Sequence, residues 1–169
     1  MKCYLIFLLA LLMLAACEPT NVRQNAFSGE SGGCGSFVVY QGDGQRQALA
    51  VIGWRDSLDL TGQPQTFDLA TVNPDWLRVE LIRANSDPAL LYCNDVVMQG
   101  VDTTARWRAV SGQVHIRIPQ DSIRPNGVGG YHYFIDLTVE NLELHSDTKG
   151  IRRIERVEFG EVFVGWLPG

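Results

Sequence analysis

From residue 34 onward, apolar and polar residues alternate along the chain with a period of two. This period is typical of β-strands with one buried face, and turn residues such as Gly, Asn, Asp and Pro separate the runs. No window of about a dozen residues carries the pattern of an amphipathic helix. The alternation predicts strands over 35–40, 47–54, 65–70, 76–83, 89–93, 105–110, 113–118, 131–144 and 151–166. The runs 105–110 and 113–118 are either two strands or one bent strand around Ser111-Gly112.

Eight or nine short strands predict an all-β fold in the form of an antiparallel β-sandwich. The run 47–54 carries apolar residues on both faces, which indicates an interior strand. A closed eight-strand β-barrel has the same periodicity and is the alternative. Residues 34–169 suffice for a sizeable core, so we expect a single β domain over this range.

Residues 1–17 have a different pattern. Lys2 precedes an apolar run from Tyr4 to Ala16, whose length suits a secretory signal peptide, whereas a membrane-spanning helix needs about 20 residues. The run ends in Leu14-Ala15-Ala16-Cys17, which resembles the lipobox of bacterial lipoproteins. The resemblance implies that residues 1–16 are a removed signal peptide and that acyl chains on Cys17 anchor the chain in a membrane.

In that family, a residue other than Asp after the lipidated cysteine directs many Gram-negative lipoproteins to the outer membrane. Glu18 therefore implies an outer-membrane location, facing the periplasm or the cell surface, if the source is Gram-negative. An ordinary cleaved signal peptide without lipid is the alternative. Residues 17–33 hold only Val22 and Phe27 as large apolar residues, and we expect them to form a flexible tether. A random coil of this length would span on the order of 20–25 Å.

The charge of the mature chain limits its partners. Lys2 is the only charged residue among residues 1–16, so residues 17–169 carry 13 basic and 19 acidic side chains, a formal net charge of −6. Nucleic acids and anionic lipids both favour clustered Lys and Arg. We therefore expect neither to be the main partner, and no contact with nucleic acid.

Two cysteines remain once Cys3 is removed with the signal peptide and Cys17 is acylated. Cys34 and Cys93 are predicted to form a disulfide, because an isolated pair in an exported chain is usually oxidised. The alternative is a catalytic thiol, which would need one free cysteine beside a histidine.

The histidines show none of the spacings that are typical of zinc or calcium sites. We therefore predict no metal site and no cofactor, and interpret the histidines as solvent-facing strand residues. They are His115, His132 and His145.

Two further patterns suggest catalysis only weakly. The string Gly29–Gly33 matches the G-x-S-x-G motif of α/β-hydrolases, but no apolar strand precedes it and no helix follows it. The carboxylate pairs Asp56/Asp59 and Glu158/Glu161 could flank a glycosidic bond only if the fold opposed them across a cleft. We interpret the acids as surface residues, and a hydrolase of unknown type is an alternative hypothesis.

Aromatic residues are the most distinctive remaining feature. Most Trp residues of a sandwich lie in the core or close its ends, so we expect core or cap roles for Trp54, Trp76, Trp107 and Trp166. Residues 131–134 carry large rings on both strand faces and follow the longest loop, 119–130. Some of these rings must leave the core, which predicts a contact surface for a protein or a glycan. Its residues are Tyr131, Tyr133, Phe134 and Arg124.

Export, lipid anchoring and an all-β pattern without a catalytic constellation favour one function. The sequence predicts a membrane-anchored bacterial lipoprotein that acts as a non-enzymatic binding or interaction module of the cell envelope. A β-barrel that carries a small apolar ligand is the alternative of a different class.

Overall fold

The computed structural model of the 169-residue chain describes residues 20–22, 27–93, 99–127 and 130–165. The predicted signal peptide, Cys17 and Trp166 lie outside these residues. Within the described ranges, no helix is long and apolar enough to cross a membrane. Short 3-10 turns lie at Arg55–Ser57, Pro88–Leu91 and Gln120–Ser122. The strands are β1 (Thr20–Val22), β2 (Ser31–Cys34), β3 (Val38–Gly42), β4 (Gln47–Gly53), β5 (Gln65–Asp68), β6 (Leu77–Ala84), β7 (Thr103–Arg117), β8 (Arg124–Pro125), β9 (Tyr131–Ser146) and β10 (Gly150–Val164).

The main strands form one sheet in the order β1-β10-β9-β7-β6-β4-β3-β2, and every pairing except β1 with β10 is antiparallel. The predicted all-β antiparallel class is therefore confirmed. The sheet curls into a half-barrel, so that its inner faces oppose each other across a core as the two layers of a sandwich do. The end of β10 lies close to β2 at the other side of the sheet, where the Gly165 N–H donates to the Gly35 carbonyl at 2.9 Å.

The long strand β7 changes partners along one edge. It pairs with β6 through Ala105–Arg108 and with β5 through Gln113–Ile116. The register of β7 against β9 shifts between Ala109 and Gln113, which marks a bulge between the two partners. The sequence pattern left two strands or one bent strand open here, and the structure has one strand with this irregularity.

Apolar side chains fill the half-barrel. The alternation predicted for β9 is observed, with Tyr133, Ile135, Leu137 and Val139 buried on the inner face. At the end where β10 begins, the Arg152 guanidinium lies 4.3 Å from the centre of the buried Trp107 ring. Arg152 Nη1 also donates to Gln47 Oε1 at 2.9 Å, which links β10 to the first residue of β4 across that end.

The outer face of β4 and β6 is also covered, as expected for an interior strand. Ala48, Ala50 and Ile82 are buried there, outside the main core cluster. The segment around Pro88–Leu91 packs on this face. Residues 89–93 were predicted to be a strand, and that prediction is wrong. The predicted Cys34–Cys93 disulfide is confirmed, with an S–S distance of 2.02 Å, and it fixes this segment to β2.

The segment predicted to be a flexible tether, 17–33, is largely structured where it is described. Thr20–Val22 pairs in parallel with Arg152–Ile154 of β10. Phe27 is buried in the core cluster, and Ser31–Cys34 pairs with β3. The structured domain therefore begins before residue 34, in contrast to the predicted boundary.

Close packing explains this difference. Backbone pairing needs no apolar side chains, and glycine allows two backbones to approach closely. A Cβ added at Gly33 would lie 2.6 Å from Val164 Cγ1 and 2.8 Å from the Phe163 carbonyl oxygen. The glycine is therefore required by the contact between β2 and the end of β10, whereas composition alone suggests flexibility.

A Gly33→Ala substitution is expected to lower the free energy of unfolding by about 1–3 kcal/mol, since the new methyl group must displace backbone. Denaturant unfolding of the purified chain would measure the change. Gly42→Ala is the matched control, because a Cβ there would meet no atom closer than 3.7 Å. Equal stability of the two variants would support the original interpretation of a flexible tether.

Candidate functional site

Of the four residues predicted to form a contact surface, the structure removes one, Tyr133, because its side chain faces the core. The Tyr133 side chain is fully buried and its hydroxyl donates to the Ser36 carbonyl at 3.1 Å. Burial raises the pKa of Tyr133 to about 12, so the hydroxyl keeps its proton. Alternation along β9 places Tyr133 inside and its neighbour Phe134 outside.

The other three predicted residues are exposed. Phe134, 38% exposed, packs on Phe163 of the neighbouring strand with ring centres 5.2 Å apart. Tyr131 is 43% exposed, and the Arg55 guanidinium lies 5.9 Å from the centre of its ring. Arg124 Nη1 donates to the carbonyl of the preceding Ile123 at 2.8 Å. β8 pairs with β9 so that Arg124 lies opposite His132, whose ring packs on Phe163 at 5.3 Å. The three exposed residues therefore lie close together at the beginning of β9.

A cleft of about 700 Å³ lies at the end of the half-barrel where β4 ends and β6 begins. Near it, β7 changes partner from β6 to β5, and the connection 69–76 joins these two strands. Because β5 and β6 pair with the same edge of β7, the connection interrupts what would otherwise be one continuous strand. The cleft is lined by Trp54, Asp56, Leu58, Phe67, Val72, Asp75, Trp76 and Leu77.

Two tryptophans lie at the mouth of this cleft. Trp54 is 61% exposed and Trp76 is 59% exposed. The register of β4 against β6 pairs Gly53 with Leu77, which brings the two tryptophans together at the strand ends. The Trp54 N–H donates to the Trp76 carbonyl at 3.1 Å. We refer to this site as the Trp54/Trp76 cleft.

The connection that forms one wall of the Trp54/Trp76 cleft is held by local hydrogen bonds. The Ala70 N–H donates to Asp68 Oδ1 at 2.9 Å, and the Asp75 N–H donates to Asn73 Oδ1 at 2.9 Å. The Trp76 N–H also donates to the Asn73 carbonyl at 2.9 Å. These are the side-chain turns that Asp and Asn favour, and they preorganise the wall.

The chemistry of the cleft combines apolar walls with hydrogen-bond acceptors. Leu58 and Leu77 are buried and Phe67 is partly buried against the core. Asp56 and Asp75 supply carboxylates at the rim. Flat aromatic faces stack on apolar surfaces, and carboxylates accept hydrogen bonds from hydroxyl groups. Such a site can bind a ligand that has both an apolar face and hydrogen-bond donors.

Sequence reasoning placed Trp54 and Trp76 in core or cap roles and missed the cleft. One local signal was present, since each tryptophan lies within two residues of an aspartate next to a turn. That the two turns meet depends on the pairing of β4 with β6, which periodicity does not reveal.

The histidines have separate neighbours and none lines the Trp54/Trp76 cleft. His115 Nε2 lies 3.6 Å from Glu140 Oε2, and His145 Nε2 lies 2.8 Å from Glu143 Oε1. The His132 ring packs on a phenylalanine at 5.3 Å. Among the described residues, no group of three or more His, Cys, Asp or Glu side chains is placed to hold a metal ion.

The remaining catalytic candidates have ordinary structural neighbours. Ser31 of the G-x-S-x-G string lies in β2 opposite Gln41, whereas the hydrolase motif needs a strand-to-helix turn. Asp59 Oδ1 accepts the Thr61 N–H at 2.9 Å, and Glu158 Oε1 lies 2.7 Å from an arginine. The structure therefore gives none of these residues the surroundings of a nucleophile or an acid–base pair.

Comparison with known proteins gives no relative: no protein-family model, no curated protein and no solved structure matches the chain.

Proposed function

We propose that the protein is a lipid-anchored, non-enzymatic binding module of the bacterial cell envelope, and that it binds a glycan in the Trp54/Trp76 cleft. In this proposal, acyl chains on Cys17 hold the domain at the outer membrane. The observation that carries the binding function is the pair of tryptophans, each about three-fifths exposed, at the mouth of an apolar cleft. Exposed aromatic groups that rim a concave apolar site are typical of recognition sites.

Two features support the envelope location. The first is the resemblance of Leu14–Cys17 to a lipobox, which implies export and lipidation. The second is the Cys34–Cys93 disulfide, because disulfides persist in oxidising compartments such as the periplasm and the cell surface.

The shape of the cleft favours a small ligand unit, such as a few sugar rings, over a folded protein partner. Its volume of about 700 Å³ lies within the usual range of small-ligand pockets. Protein interfaces, in contrast, typically bury about 800 Å² on each partner. A sugar ring presents an apolar face that can stack on Trp54 or Trp76, and its hydroxyls can donate to Asp56 and Asp75.

The position of the cleft also distinguishes it from the interior of a ligand-carrying barrel. Side chains such as Trp107, Tyr133 and Ile135 fill the described interior. A ligand therefore has room at the end of the half-barrel, whereas a carrier of apolar ligands needs an open interior.

We propose binding without hydrolysis because of the surroundings of Asp56. A glycosidase needs one carboxylic acid that is kept protonated by apolar burial. The Asp56 side chain is 91% exposed and its Oδ1 lies 3.6 Å from Arg55 Nη2. Asp56 therefore lacks the apolar burial that such an acid needs, and its oxygens are accessible to the hydroxyl groups of a ligand.

The combined substitution of Trp54→Ala and Trp76→Ala is expected to weaken glycan binding by at least about 30-fold, since a buried aromatic anchor typically contributes about 2 kcal/mol or more. An array of immobilised bacterial and host oligosaccharides would identify the bound sugars. Calorimetric titration with the oligosaccharide that binds most strongly would then give the affinities of the unchanged protein and of the double variant.

Phe134→Ala is the matched control, because it removes an exposed ring of the surface predicted from sequence and leaves the cleft intact. Its affinity should equal that of the unchanged protein. The glycan proposal is wrong if the unchanged protein binds no oligosaccharide on the array, or if only Phe134→Ala reduces binding.

A further inference from the structure

Strand β1 fixes the side of the domain at which the lipid anchor attaches. Thr20, Asn21 and Val22 pair with Arg152, Arg153 and Ile154. Because the pairing is parallel, Thr20 is the β1 residue nearest to the beginning of β10 and to the turn that joins β9 to β10. Cys17 precedes Thr20 by three residues, which span at most about 10 Å.

The Trp54/Trp76 cleft lies at the opposite end of the half-barrel. Arg152, the partner of Thr20, is hydrogen-bonded through its side chain to Gln47 at the start of β4. From Gln47, β4 extends to Gly53, a distance of about 20 Å for an extended strand. Trp54 follows directly, so the length of β4 separates the anchor side from the cleft.

We infer that the turn between β9 and β10 and the start of β4 form the surface that faces the bilayer, and that the Trp54/Trp76 cleft points away from it. The occupant of the first surface is the lipid headgroup layer into which the Cys17 acyl chains insert. This inference rests on the proposed lipid anchor.

The argument depends on chain length and strand direction and needs no electrostatic attraction. The bilayer-facing end carries basic residues such as Arg46, Lys149 and Arg153, but also acidic residues such as Asp43 and Asp147. Mixed charge of this kind tolerates a nearby headgroup layer without strong dependence on anionic lipid. The orientation should therefore persist in neutral vesicles.

Lipid contact at two labelled positions tests the orientation. Lys149→Cys places a label in the turn between β9 and β10, and Gln63→Cys places one just before β5, at the cleft end. Each lipidated protein is purified from its native envelope, labelled with a small fluorophore without reduction, and inserted into phosphatidylcholine vesicles. Nitroxide-bearing headgroup lipids then quench only the fluorophores that touch the headgroup layer.

We expect most of the fluorescence to be lost at position 149 and none at position 63. Equal quenching at both positions, or stronger quenching at position 63, overturns the orientation. Intact mass, measured first, separates this failure from that of the anchor. If the acyl mass on Cys17 is present, a wrong quenching pattern refutes the orientation alone. If it is absent, both the anchor and the orientation are refuted.

Discussion

Removal of the Cys34–Cys93 disulfide is expected to lower the free energy of unfolding by about 4 kcal/mol. The two cysteines are 59 residues apart, so the bond excludes many conformations of the unfolded chain. It also holds the segment that covers the outer face of β4 and β6. In that segment, the Tyr92 ring stacks on Tyr40 with ring centres 5.5 Å apart, and the Tyr92 hydroxyl donates to Glu80 Oε1 at 3.1 Å.

Guanidinium unfolding of the oxidised protein and of the Cys34→Ala/Cys93→Ala variant would measure this loss. The unchanged protein under a reducing agent is the control, since it lacks the bond but keeps both side chains. The alanine variant and the reduced protein both lack the bond, so both should lose a similar free energy of unfolding. A loss below about 1 kcal/mol in both would contradict the expectation, and would mean that loop closure contributes little here.

Arg106→Ala is expected to lower the free energy of unfolding by about 3 kcal/mol, because it leaves a buried carboxylate without its counter-charge. The Glu80 side chain is 4% exposed, and its Oε2 accepts a hydrogen bond from Arg106 Nη1 at 3.0 Å. The hydrogen bond from Tyr92 would remain, but it cannot neutralise the charge. Denaturant unfolding at neutral pH would measure the loss.

Two further variants distinguish the effect of the unpaired Glu80 charge from other effects of Arg106→Ala. Adding Glu80→Gln should restore much of the lost stability, since a neutral amide is cheaper to bury and still accepts the Tyr92 hydrogen bond. Arg117→Ala is the control on the same strand, because it removes only an exposed ion pair, in which Arg117 Nη1 lies 3.9 Å from Asp136 Oδ2. It should change the free energy of unfolding by less than about 1 kcal/mol. If Glu80→Gln restores nothing, the charge argument is wrong.

The sequence predicted the strands well where one face is buried and the other is exposed. β9 carries this alternation over most of its length, so the period of two matches its burial. In β10 two pairs of successive buried residues, Ile154/Val157 and Phe159/Val162, are three positions apart, so the match there is partial. The segment 89–93 was misassigned because a short apolar run reads alike in a strand and in a 3-10 turn covering a sheet. Its burial comes from β4 and β6, which lie elsewhere in the chain.

The candidate site was less predictable than the fold. Tyr133 and Phe134 differ in burial because they lie on opposite faces of β9, and sequence alone did not show which face was covered. The Trp54/Trp76 cleft depends on two non-local features, the register of β4 against β6 and the change of partner along β7. A local pattern contains neither.

Under the proposed lipid anchoring and glycan binding, the pairing of β1 with β10 also determines how the domain would respond to a pulling force. A pull on a bound glycan, directed away from the bilayer, would load the three β1 pairs along the strand direction. After release of β1, Phe27, which is buried in the core, would still hold the chain to the half-barrel. The greatest possible distance between Cys17 and the fold would then increase from about 10 Å, to Thr20, to about 35 Å, to Phe27, without unfolding of the half-barrel. A pulling force would therefore first detach β1 from β10, and the core and the Trp54/Trp76 cleft would stay intact.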